Sequence, residues 1–217
     1  MKSDATPQEP EAQAKRARGR PRKTMDERDD GNRRQALLTA AGHLFRAKGF
    51  AATTTRDIAG AAGMQSGSPF YHFKSKDALL YAVMEEGMRS ALERQRAAVQ
   101  LPGHTGLTPA EQLRVLITVH FDVLLGPGND FVPVMLYESR SLQPRQRKLV
   151  AQLISEYESL WMPVLTALHA SGQLRAPVGV ARLLILGALN WSVQWFDAKK
   201  GATLQDLADA AMALFLN

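Results

Sequence analysis

Apolar residues return with a helical period from residue 33 onward. Leu37, Ala41, Leu44 and Phe45 share one helical face, and Gly49 stops the segment. Thr54, with Asp57 three residues on, has the spacing of a capping box ahead of Ile58 and Ala59, and Gly63 keeps that second helix short. A third short segment, residues 66–72, contains Pro69, which is tolerated in a first turn and costly deeper in a helix. Ser75 can cap a fourth, longer helix that runs through Leu79, Leu80, Val83, Met84 and Met88 to residue 99. Beyond a linker at 101–109 with two Pro and two Gly, helical patterns occupy 110–125, 131–140, 144–170, 178–196 and 204–215. The third of these carries Leu149, Leu153, Tyr157, Leu160, Val164 and Leu168 on one face and is expected to be a long packing helix. No sustained alternation of period two occurs, so the pattern predicts an all-α fold.

Residues 1–30 break this pattern. They are rich in Pro, Gln and charged residues, with Met25 the one large apolar residue after Met1, and are expected to form a disordered arm. Lys15, Arg16, Arg18, Arg20, Arg22 and Lys23 make a basic block, followed by acidic Asp26, Glu27, Asp29 and Asp30. The net charge of +6 over 217 residues is therefore unevenly placed, and the basic block can meet a phosphate backbone ahead of the body. The apolar fraction of 45% is ordinary for a globular chain. With no cysteine, disulfides, thiolate metal sites and cysteine nucleophiles are excluded, and a reducing compartment, the cytoplasm, is the default. No apolar run is long enough to span a membrane, and the N-terminus lacks the pattern of an export signal, so no membrane partner is expected.

Two short helices across a tight turn, supported by a preceding helix, are what reading the DNA major groove requires. Residues 55–72 meet that requirement. Ala59 and Gly63 suit a close helix crossing and a sharp turn, Ile58, Ala62, Phe70 and Phe73 can form a small core, and Gln65, Ser66 and Ser68 suit base edges or phosphates. By spacing alone an ordinary helical hairpin would read the same way. In the arm, Arg18-Gly19-Arg20-Pro21 resembles the core of an AT-hook, whose arginines lie along a narrow minor groove.

Residues 34–81 resemble the DNA-binding head of the TetR family of bacterial transcriptional regulators. The resemblance is carried by Ala40-Ala41, Leu44-Phe45, Gly49-Phe50, the run from Thr53 through Thr54-Thr55-Arg56-Asp57-Ile58 to Ala59, Ala62-Gly63-Met64, Gly67-Ser68, and His72-Phe73-Lys74-Ser75-Lys76-Asp77-Ala78-Leu79. It implies that Thr54 and Thr55 open the helix crossing the DNA backbone, that Gln65 to Tyr71 form the recognition helix, and that Lys76 meets a phosphate. The DNA-facing set is then Arg18, Arg20, Arg22, Thr54, Thr55, Gln65, Ser66, Ser68, Tyr71, His72 and Lys76. The chain departs from the family at Pro69-Phe70-Tyr71, where Leu-Tyr is common and where proline can reorient the recognition helix. The implied organisation is an arm at 1–30, a head at 31–80 and a ligand-binding, dimerising body at 81–217.

In the body, Phe121, Tyr137, Trp161, Trp191 and Trp195, with Arg140, Asn190 and Gln194 as polar groups, have the composition of a cavity with orienting groups. The same aromatics would serve as core or dimer interface. By the family resemblance, the body binds a small effector and forms a homodimer through its last two helices, here 178–196 and 204–215. The stretch Gly187-Ala188-Leu189-Asn190-Trp191, then Trp195-Phe196, Gly201, Leu204 and Leu207-Ala208, resembles members that respond to acyl-CoA thioesters. The expected function is a repressor that binds a palindromic double-stranded operator and is released by such an effector. No cofactor or catalytic residue is expected: the five histidines show no metal-ligand spacing and no phosphate-binding loop occurs. His120 with Asp122, and Glu156 with Glu158, stand two apart and cannot face one site, and the glutamates read as a solvated stretch. A helical structural or protein-binding module is the alternative.

Overall fold

The computed structural model describes residues 25–65 and 69–216, and no strand occurs among them. Arg18, Arg20, Arg22, Ser66 and Ser68 lie outside the described residues. Helix α1 (Met25–Lys48) begins inside the stretch 1–30 that composition marked as a disordered arm. Leu37, Leu38, Ala41 and Phe45 are its buried face.

Helix α2 (Thr55–Ala61) starts as its spacing predicts. The Thr54 hydroxyl accepts the Asp57 N–H at 3.1 Å while the Asp57 carboxylate accepts the Thr54 N–H at 3.0 Å. The turn after it needs glycine. Gly63 sits at φ +68, its N–H donates to the Gly60 carbonyl, and the Met64 N–H reaches back to the Ala59 carbonyl at 2.8 Å. That pair of bonds closes the helix in a left-handed step that a Cβ would strain. Pro69 is the first residue of α3 (Pro69–His72), where its missing N–H costs nothing.

Helix α4 (Lys76–Val99), capped by the Ser75 hydroxyl on the Ala78 N–H, runs unbroken through the boundary expected at residue 80. Head and body therefore share one helix. Around it the body places α5 (Pro109–Leu125), α6 (Phe131–Glu138), α7 (Pro144–Ser159), α8 (Met162–Ala170), α9 (Val178–Trp191) and α10 (Leu204–Phe215). The single helix expected over 144–170 is two helices, broken at Leu160 and Trp161. Pro163 is the cause: it has no N–H to continue the α7 ladder, so it can stand only in the first turn of a new helix. The last expected long helix likewise ends at Trp191, followed by a 3-10 turn over Ser192–Gln194.

Packing centres on α4, which lies against α1, α5, α6 and α7, while α10 covers α5. α6 approaches α1 and α4 through two glycines. A Cβ on Gly87 would stand 2.5 Å from the Phe131 Cβ, and one on Gly42 would stand 3.1 Å from the Phe131 ring. On an open helix face, Gly87→Ala would stabilise by about 1 kcal/mol through helix propensity. Here the added methyl meets the rigid root of Phe131, so we expect a net loss of about 1–2 kcal/mol, read as a melting temperature lower by several degrees. A rise in melting temperature would show that α6 is not pressed against α4.

Candidate nucleic-acid interface and effector cavity

The head exposes some of the side chains expected to meet DNA and occupies others internally. Thr54 and Gln65 are exposed, Thr55 is half-buried at the first position of α2, and Tyr71 is 82% exposed on α3. Arg56 and Lys74, which the sequence reading did not single out, are also exposed beside this set. His72 is drawn inward. Its side chain is 7% exposed, and its Nδ1 lies 3.7 Å from the Asp30 carboxylate of α1.

Lys76, expected to meet a phosphate, has its side chain engaged inside the head. Its Nζ donates to the carbonyls of Phe50 at 2.8 Å and Thr53 at 2.9 Å and stands 4.3 Å from the centre of the Phe50 ring. An ammonium with two carbonyl acceptors and an aromatic face has its charge satisfied where it is. The bonds staple the α1–α2 loop to the start of α4, and buried Thr53 adds its hydroxyl to the Gly49 carbonyl at 2.8 Å.

That loop is also held from the body. Glu138, the last residue of α6, accepts the Phe50 N–H at 2.9 Å. At the other end of α6, Asp130 accepts from Arg46 of α1 at 2.9 Å and lies 3.4 Å from His43. Thus both ends of an eight-residue helix grip the head. Its middle faces elsewhere: Val132 and Met135 line a cavity of about 50 Å³ in the body.

The cavity lies among α4, α5, α6, α7 and α9. Met88, Val132, Met135, Ile154 and Leu186 form part of an apolar wall interrupted by His120, Tyr157, Glu158 and Asn190. His120 is 6% exposed, and its Nδ1 is 2.9 Å from the Tyr157 hydroxyl. That hydroxyl donates to Gln95 Oε1 at 3.2 Å, and Gln95 Nε2 donates to the Leu116 carbonyl at 3.2 Å. Burial pushes the His120 pKa down to about 4, with the nearby Asn190 amide opposing, so the ring is neutral near pH 7. Burial likewise pushes the Tyr157 hydroxyl well above its ordinary value, against the smaller opposite effect of Trp161. His120 Nε2 and Trp161 Nε1 are buried with no hydrogen-bond partner, each at a cost of about 1–3 kcal/mol.

The expected effector residues mostly stand elsewhere. Of them, Asn190 is in the cavity wall. Phe121 and Trp161 are buried, the latter edge-on to His120 with ring centres 5.8 Å apart, and neither lines the cavity. Tyr137, Arg140 and Gln194 are exposed. Trp191 and Trp195 are 62% and 56% exposed; Trp191 joins Val180, Leu183 and Leu184 in an open apolar face of α9, and Trp195 lies just past the 3-10 turn that follows. Glu158, read as solvated, is instead paired with Arg182 of α9 at the cavity. Gln95 was passed over and His120 was set aside for its spacing from Asp122, although each falls where the apolar period of its helix calls for a hydrophobic residue, beside Met88, Ala91 and Leu92 or Leu113, Leu116 and Ile117. Among the described residues, no group of three or more His, Cys, Asp or Glu could hold a metal ion. No helix among the described residues is long and apolar enough to cross a membrane.

Two family models match the chain: bacterial regulatory proteins of the tetR family over residues 37–83, and the tetracyclin repressor-like C-terminal domain over residues 106–217. The HTH-type transcriptional repressor KstR2 of Rhodococcus jostii is 29% identical, over 85% of this chain and 90% of that protein. The crystal structure of superantigen PfiT is 39% identical, with a TM-score of 0.69 over 85% of this chain and 96% of that one. The crystal structure of AibR with isovaleryl coenzyme A and operator DNA is 23% identical and shares the fold, with a TM-score of 0.76 over 84% of this chain and 97% of that one.

If Lys76 is a staple, Lys76→Gln destabilises the head by about 1–2 kcal/mol and weakens DNA binding without changing the slope of log K against log salt. A slope reduced by about 1 would return Lys76 to a phosphate. The buried histidine predicts a pH dependence of stability. The unfolded ring binds its proton near pH 6.5 and the folded ring only near 4, so the unfolded state gains protons first as pH falls. Stability should drop by about 2–3 kcal/mol between pH 6.5 and 4.5, and urea unfolding of His120→Phe should lack that component.

Proposed function

The chain belongs to the TetR family of bacterial transcriptional regulators, and from that premise we propose that it is a repressor released from a palindromic operator by a small hydrophobic effector such as an acyl-CoA thioester. One observation carries the reading. α6 has its middle in the cavity wall, through Val132 and Met135, and both its ends on the head, through Asp130 and Glu138. An effector that displaces Val132 and Met135 must move α6, and α6 cannot move without pulling on Arg46 and the Phe50 N–H.

The open apolar face of α9, with Val180, Leu184 and Trp191, is the surface through which two copies pair, aided by exposed Trp195 beyond its end and Leu214 of α10. The two recognition segments then meet half-sites about 34 Å apart on one face of the DNA, a separation that tolerates little displacement. Thr54, Thr55, Gln65 and Tyr71 are the described contacts of the head, joined by Ser66, Ser68 and the arm residues Arg18, Arg20 and Arg22. The resemblance of residues 187–208 to acyl-CoA-responsive members and the apolar lining of the cavity support the effector class. The similarity to the repressor KstR2 and the fold shared with the AibR complex support this reading.

The test is a titration of a labelled duplex from the chain's own upstream region against a scrambled duplex at near-physiological salt. The operator should bind ~10³-fold or more tightly than the control. Acyl-CoA thioesters should weaken it, and the operator must weaken effector binding by the same factor. Equal affinity for every fragment selected from the genome would refute specific recognition and leave the protein-binding module.

A further inference from the structure

We infer that the effector carries a hydroxyl or other hydrogen-bond donor, and that Nε2 of His120 accepts it inside the cavity. The inference rests on the reading of this cavity as the effector site and adds the chemistry that the site selects.

The argument starts from a backbone carbonyl, which can only accept. Gln95 must turn its NH₂ to the Leu116 carbonyl, which leaves its Oε1 facing the Tyr157 hydroxyl. An amide oxygen can only accept as well, so Tyr157 spends its single proton there. Toward His120 the phenol oxygen is then an acceptor, and Nδ1 must carry the ring proton. In the neutral ring Nε2 is left as a bare lone pair. It is buried, no group meets it in hydrogen-bond geometry, and its ring is part of the cavity wall beside Asn190, whose amide is near enough to act on the ring's charge.

Of the polar groups on the wall, Asn190 carries the one uncommitted donor, and it stands near that lone pair without meeting it in hydrogen-bond geometry. The Tyr157 proton is committed to Gln95, and Glu158 is engaged by Arg182. The rest of the lining is apolar, with Met88 and Met135 able to adapt to an occupant. A ligand hydroxyl can satisfy Nε2, whereas an ether, carbonyl or alkyl group placed there leaves the acceptor unpaired. A site of this kind discriminates strongly against the analogue lacking the donor. The effector fragment is therefore a small apolar group bearing a donor, which within the acyl-CoA class means a hydroxyacyl chain and not a plain alkyl one, with Asn190 beside it to orient a second polar atom.

A cavity of about 50 Å³ holds only a few waters, so small probes suit it. Isobutanol and its isomer methyl isopropyl ether have the same atoms, and only the alcohol can donate. We would titrate each into the full chain labelled with ¹⁵N-histidine and methyl-¹³C-methionine and follow the His120 nitrogens and the Met88 and Met135 methyls. The expected result is a protonated Nδ1 and a bare Nε2, an Nε2 resonance that moves with the alcohol alone, and about tenfold tighter binding of the alcohol. In His120→Phe the two isomers should bind alike. A protonated Nε2 in the unaltered protein, or equal binding of the isomers there, overturns the inference while leaving the cavity as a ligand site. If neither isomer perturbs the two methionines at any concentration, the cavity itself is refuted as the effector site.

Discussion

Phe131 rests on two glycines, Gly42 of α1 and Gly87 of α4, and the arrangement of the molecule depends on that contact. Without Cβ atoms at those positions, the start of α6 can lie against two helices at once. The approach brings Asp130 within reach of Arg46 and, one helix length on, Glu138 within reach of the Phe50 N–H. The head is then gripped through the C-terminal end of α1 and the loop that follows it. Lys76 closes the same loop from α4, so the start of α2 is held by the body as much as by its own core.

Rigid coupling of this kind gives a small cavity leverage over a distant surface. Packed interiors do not deform gradually, so a group that displaces Val132 or Met135 shifts α6 as a unit. The relay from Leu116 through Gln95 and Tyr157 to His120 serves a different end. It joins α4, α5 and α7 with oriented hydrogen bonds in place of apolar contacts, and it leaves one acceptor unpaired at the cavity. A purely apolar wall would avoid that cost and would also lose the means of telling one small ligand from another.

Several expectations failed for local reasons. One apolar stripe over 144–170 crosses a break, because Leu160 and Val164 keep their period while Pro163 removes the N–H that continuity needs. Trp191 and Trp195 look like cavity aromatics by composition, yet they are exposed at the end of α9 and just past the 3-10 turn that follows it, where an oligomer can cover them. Lys76 matches the phosphate-binding position of the resembling family, but the carbonyls of Phe50 and Thr53 are close enough to take its charge.

The sequence by itself determined what depends on neighbours along the chain. The Thr54–Asp57 cap, the Gly63 turn, the Ser75 cap and the helical period of the apolar residues are set by interactions within a turn or two, and they carried the all-α fold and the family resemblance. Only the tertiary structure decided which faces meet. That Phe131 finds Gly87, that Gln95 on α4 reaches Tyr157 on α7, and that Asn190 alone of the expected effector residues reaches the cavity are outcomes of helix packing across many residues of sequence. A periodic stripe states that a face is buried, but the partner it is buried against follows from crossing geometry and side-chain volume, which no local pattern encodes.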